Sequence, residues 1–234
     1  MECVVSQCSE EHLQGLEYAA MLSTLADMLL TLAKQTGEMV HLDQAIEIVE
    51  SNLAASEGRS IDWAKRQATL ASMLNIRYQW AGRKLDLDLA IQKLELAISV
   101  APADSLDQAN FRVHISRLLF SLYEAKGNEL DLDRAIMEGE EAVGVIDRED
   151  PGSVYHARGS LAELLSKRFL IQPERLRDLE NAMKIQEALI ASDKMATRAV
   201  FSFARNLCSQ YQLSGAWDQV GTAIDLGGSA RQQV

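Results

Sequence analysis

The chain has 234 residues, of which 47% are hydrophobic and 24% charged, and its formal net charge is −11. So acidic a surface repels phosphate backbones and anionic lipid, which argues against nucleic acid and membranes as partners. Cys3, Cys8 and Cys208 fit neither a disulfide framework nor a zinc spacing, and with only 3 prolines and 13 glycines a mostly helical chain with reduced thiols is expected.

Residues 1–11 carry acids and no basic-then-apolar export pattern, and residues 1–12 are taken as an N-terminal extension. A first helix is expected over 13–37, because Leu22, Leu25, Ala26, Leu29, Leu32 and Ala33 recur at helical spacing and Gly37 supplies a stop. A second is expected over 42–55, with a break at Gly58. The third (61–81) puts Leu70, Ala71, Leu74 and Tyr78 on one face and stops at Gly82. The fourth (86–100) ends before Pro102, which cannot continue a helix.

Asp104 and Ser105 are capping types ahead of a fifth helix over 106–126, which stops at Gly127. The sixth covers 131–146, and an Asp-Pro-Gly turn follows it. The seventh (154–171) repeats the apolar face with Leu161, Ala162, Leu165 and Phe169, and Pro173 replaces the glycine stop. An eighth is expected over 176–192 and a ninth over 197–213, with Phe203, Ala204, Leu207 and Tyr211 in the same places. A tenth begins near Ala216 and fades by Gly227, leaving a polar tail at 228–234.

One phrase recurs through this succession. It reads Leu-Asp-Gln-Ala-Ile from Leu42, Leu-Asp-Leu-Ala-Ile from Leu87 and Leu-Asp-Arg-Ala-Ile from Leu132, at a constant interval of 45 residues. Worn copies follow from Leu179 and Trp217. A fixed period of this size marks a helical solenoid, in which each unit buries its apolar face against its neighbours. The units are about 13–58, 61–102, 106–150, 154–193 and 197–227, together one helical-repeat domain over 13–227. The phrase alanine is expected where two antiparallel helices come closest, flanked by the buried leucine and isoleucine. Asp43, Asp88 and Asp133 are expected to cap their helices.

The fourth helix resembles the second helix of a tetratricopeptide repeat: Ala90, Ala97 and Pro102 stand at that family's spacings, and Leu70, Ala71 and Leu74 resemble its first-helix signature. The resemblance covers about 16–224. It implies an all-α fold, a right-handed α-solenoid of about five antiparallel helix pairs. The usual unit is about 34 residues. The longer 45-residue form, with Leu-x-Asp-Leu-Asp-x-Ala-Ile after a glycine, resembles repeats in fungal signalling proteins that carry caspase-like CHAT domains or nucleotide-binding switch domains.

Chemistry is not announced. No phosphate-binding glycine loop follows a strand, and His12, His41, His114 and His156 form no i, i+4 pair, so no cofactor, metal site or catalytic residue is expected. Glu138, Glu140 and Glu141 read as a solvated face, and Cys208 as an inert buried thiol. In tetratricopeptide-like stacks the first helices line the concave wall, and the resemblance places Asp27, Ser72, Asn75, Arg117, Glu163, Lys167 and Arg205 there. The expected role is a cytoplasmic scaffold or adaptor that binds a protein or peptide in this groove through an acidic group on the partner. The alternatives are an enzyme or small-molecule binder that uses the groove as a pocket, and the sensing arm of a larger signalling protein. Val220, Ala223 and Ile224 on the tenth helix suggest homo-oligomerisation through the C-terminal end.

Overall fold

The computed structural model describes residues 2–56, 58–150, 154–191 and 203–207, with side chains from Tyr18 onward. Its elements are α1 (Glu2–Thr36), α2 (Met39–Ala55), α3 (Ile61–Ala81), α4 (Lys84–Val100), α5 (Leu106–Lys126), α6 (Glu129–Glu149), α7 (Val154–Ile171) and α8 (Leu176–Ala191). A short helical stretch at 203–207 belongs to the expected ninth helix. Among the described residues every regular element is helical, and the helices pack in consecutive pairs, as a helical-repeat solenoid requires. Tyr211, Cys208, the expected tenth helix with Val220, Ala223 and Ile224, and the 228–234 tail lie outside the described residues.

Two compact bodies divide the chain, Met1–Ala103 and Asp104–Val234. In the first, α1 pairs with α2 and α3 with α4, and α2 joins the pairs by packing on α3. In the second, α5 pairs with α6 and α7 with α8, with α6 packed on α7.

The repeat phrase builds both cores. Its alanines, Ala45, Ala90, Ala135 and Ala182, are all 0% exposed, and the leucines and isoleucines beside them are buried too. At Ala135 the close approach is visible: Ser116 Oγ on α5 donates to the Ala135 carbonyl at 2.6 Å. Gly139, one turn further along α6, has no room to spare. A Cβ there would sit 3.3 Å from Ser116 Oγ and 3.4 Å from Leu161 Cδ1.

Helix ends follow local chemistry. Gly82 and Gly127 adopt left-handed φ of 67° and 71°, and their amides close the last turns on Tyr78 and Tyr123 carbonyls. Ser60 and Ser105 cap α3 and α5 by accepting from the amides of Trp63 and Gln108.

Four expectations need correction. Helix α1 starts at Glu2, well before residue 13. Helices α2, α4 and α6 start two to three residues earlier than expected, because Met39, Lys84 and Glu129 and their neighbours are helix-compatible and nothing stops the helix short of them. Asp43, Asp88 and Asp133 therefore stand at the fifth helical position, beyond the unpaired amides of the first turn, and are not caps. Lastly, Glu138 is no part of a wet face. It is 6% exposed and accepts from Arg112 Nη1 of α5.

Candidate functional site

Asp43 and Asp133 have a different task. Arg77 of α3 donates through Nε and Nη2 to both oxygens of Asp86 on α4, at 2.8 and 2.7 Å. Its remaining nitrogen, Nη1, reaches Asp43 Oδ1 on α2 at 3.0 Å. Arg168 of α7 repeats the arrangement, holding Asp178 on α8 at 2.6 and 2.8 Å and Asp133 on α6 at 2.7 Å. The planar fork of arginine suits a two-point grip on one carboxylate with a donor to spare for another. Each arginine thus ties its own helix pair to the pair before it. Both guanidinium pKa values are raised, first by the hydrogen bond to Asp86 or Asp178, so both stay charged at any working pH. These charges are structural and are not offered to a ligand.

The residues expected to face a groove lie on the first helices of the pairs. In the first body an open cleft of about 410 Å³ lies between α1 and α3. Ala19, Ala20 and Val49 contribute its apolar lining, and Asp27, Asp62, Lys65, Arg66 and Thr69 its polar lining. Arg66 is anchored through Nη2 to Ser56 Oγ at 3.1 Å, while its buried Nε finds no acceptor. Asn52, buried behind α1, donates to the Ala19 carbonyl at 2.9 Å and fixes that helix against α2.

Asp27 is the one expected site residue in this cleft. Ser72 points its hydroxyl back to the Ala68 carbonyl at 3.1 Å, and Asn75 Oδ1 is buried without a partner. Asp62, Lys65 and Thr69 escaped the sequence reading, yet they step down α3 from Ser72 at intervals of three and four. That spacing marks one helix face and would have found them.

In the second body Arg117 is exposed on α5, and its charge adds to desolvation in holding the His114 pKa below its usual value. Lys167 on α7 lies 5.9 Å from the Phe120 ring centroid, a cation–π contact. Glu163 is half-buried, and Arg205 is exposed at 203–207. The structure therefore spreads the seven residues over both bodies: Asp27, Ser72 and Asn75 in the first, the other four in the second. Among the described residues no three His, Cys, Asp or Glu side chains are placed to hold a metal ion. No helix there is long and apolar enough to cross a membrane.

Helices paired in series with the phrase alanines buried make an all-helical repeat fold of the tetratricopeptide-like kind. Solved structures agree on that fold. The putative kinesin light chain of Podosopora anserina, with nearly identical TPR-like repeats, matches with a TM-score of 0.61 at 17% identity over 91% of this chain and 97% of that one. A single-substitution form of the same protein gives 0.64 at 16% identity, over 92% of this chain and 97% of that one. BtubC (BKLC) from P. vanneervenii gives 0.63 at 14% identity, over 98% of this chain and 90% of that one. No protein-family model and no curated relative matches the sequence.

Proposed function

We propose that this protein is a peptide- or protein-binding scaffold whose working surface is the exposed face of its first helices. The observation behind this reading is the α1–α3 cleft. It is open to solvent, apolar at Ala19, Ala20 and Val49, and edged by side chains of both signs. A preformed cleft of this kind receives an extended segment with little ordering cost to the protein. Acidic groups on the partner fit the exposed cations best. Arg117 and Arg205 stand at equivalent repeat positions on their first helices, in a chain whose net charge is −11. Arginine is also over-represented at binding hot spots.

The test is a peptide array that includes acidic segments with free and amidated C-termini, probed with the wild-type protein and with Arg117→Glu/Arg205→Glu. The double variant should lose at least tenfold in affinity for the acidic ligands while keeping its helicity. A parallel Lys65→Glu variant tests the α1–α3 cleft itself. Unchanged affinity in the folded double variant would remove Arg117 and Arg205 from the working surface, and unchanged affinity in that variant and in folded Lys65→Glu alike would reject the reading.

A further inference from the structure

The outer side of α1 carries a second surface that the cleft does not use. Tyr18, Met21, Leu25, Met28 and Leu32 are all exposed, between 40% and 69%. Their spacing is three, four, three, four, the pattern of an apolar coiled-coil seam. At 3.6 residues per turn these five fall within about 80° of arc. The cleft residues Ala19, Ala20, Ser23 and Asp27 lie on the opposite side of the same helix, and Ala26 and Ala33 are buried on a third.

We propose that this seam is a homodimer interface, in which α1 packs against α1 of a second copy. Charge and area both select that occupant. From Tyr18 to Leu32 the only ionised side chain is Asp27, which faces the cleft, whereas 24% of the whole chain is charged. Two copies that each carry −11 repel over most of their surfaces. Along this strip they meet without like charges in contact. The positions that flank the seam on one side, Thr24 and Thr31, are neutral and return their hydroxyls to the Ala20 and Asp27 carbonyls of α1 itself. On the other side Leu22 and Leu29 are half-buried and extend the apolar surface. With about 200 Å² for a full side chain of this size, the five residues expose about 550 Å² per copy. A symmetric pair would then bury up to about 1,100 Å², which clears the roughly 1,000 Å² threshold for a biological interface and stands at its small end. The contact would run about 21 Å along the helix, four turns, and leave the cleft open.

Sedimentation velocity of the full chain over a range of concentrations, under reducing conditions, tests this. A dimer is expected, and it should tighten with added salt, because screening relieves the mutual repulsion and costs an apolar seam nothing. Leu25→Glu/Met28→Glu should weaken association at least a hundredfold with unchanged helicity, since both side chains are exposed. Should that variant fail to fold, Leu25→Cys, with Cys3, Cys8 and Cys208 replaced by serine, gives a second readout: oxidation should cross-link two copies. A monomeric wild type overturns the proposal. So does a dimer that survives the double change in folded protein, or one that Ile224→Asp abolishes and the α1 changes do not.

Discussion

Arg77 and Arg168 show how much a single side chain settles in this architecture. Each grips an aspartate that is nearly out of water, Asp86 at 3% and Asp178 at 7% exposure. Arg168→Ala would leave Asp178 buried with no cation, and we expect a loss of about 3 kcal/mol in urea unfolding, at the lower end for a broken buried pair because water reaches the guanidinium edge. Arg168→Lys should recover only part, since an ammonium cannot hold one carboxylate at two points and a second carboxylate besides. Equal stability of the alanine variant and the wild type would contradict the arrangement. His114 supplies a pH effect. Its folded pKa lies below the usual value, mainly through desolvation and then through Arg117, so on acidification the unfolded chain takes the proton first. Stability should therefore fall as pH drops through about 6.5. The imidazole keeps part of its surface in water, so the fall is a modest one. His114→Gln should flatten that part of the profile, and Arg117→Ala should move the His114 titration upward by NMR. The aspartates of the phrase were legible as recurring and misread as caps, because their role depends on arginines some 34 residues further on. Arg77 and Arg168 stand 91 residues apart, close to twice the period, while the same place in α5 is Leu122. A search for identity at every 45 residues passes over a feature that occurs in alternate units.

At the scale of the element, the clearest signals were those with a steric cause. Helices α3, α5 and α7 have the expected bounds, because each is fixed by a glycine, a proline or a serine cap close to its ends. Helices α2, α4 and α6 begin after Glu38, Arg83 and Asn128, and of these only Asn128 lends a side chain to the cap. With so little punctuation the start could not be read closely. The phrase alanines were legible for the same steric reason. Ala90→Leu and Ala135→Leu should each cost about 1–3 kcal/mol by overpacking a fully buried contact. The larger loss is expected at Ala135, where Ser116 already bonds to the backbone and Gly139 leaves no slack. Unchanged denaturation midpoints in both would show that these contacts can relax. Gly82→Ala should cost about 1 kcal/mol for a different reason: φ is +67°, and the space beside it is empty, so the penalty is conformational alone.

On the scale of the whole molecule, period and composition announced the architecture, whereas the partner stayed hidden. The positions proposed to face a partner carry no repeated residue: they read Asp27, Ser72, Arg117, Glu163 and Arg205 in successive first helices. Packing imposes the same side chain on every unit, but recognition is free to differ from one unit to the next, so periodicity reports the first and is silent on the second. The same logic sets how damage should spread. In a repeat protein stability is approximately a sum of unit terms and nearest-neighbour terms. Arg77 acts within the first body, joining α3 to α4 and α2, and Arg168 acts within the second, joining α7 to α8 and α6. Hydrogen exchange on Arg77→Ala should therefore show faster exchange in α2, α3 and α4, with protection in α6, α7 and α8 kept near the wild-type level. Arg168→Ala should give the reverse pattern. An equal rise from α1 through α8 in either variant would mean that the chain opens as one cooperative unit, and that the arginine ties set its global stability and not the strength of single repeat junctions.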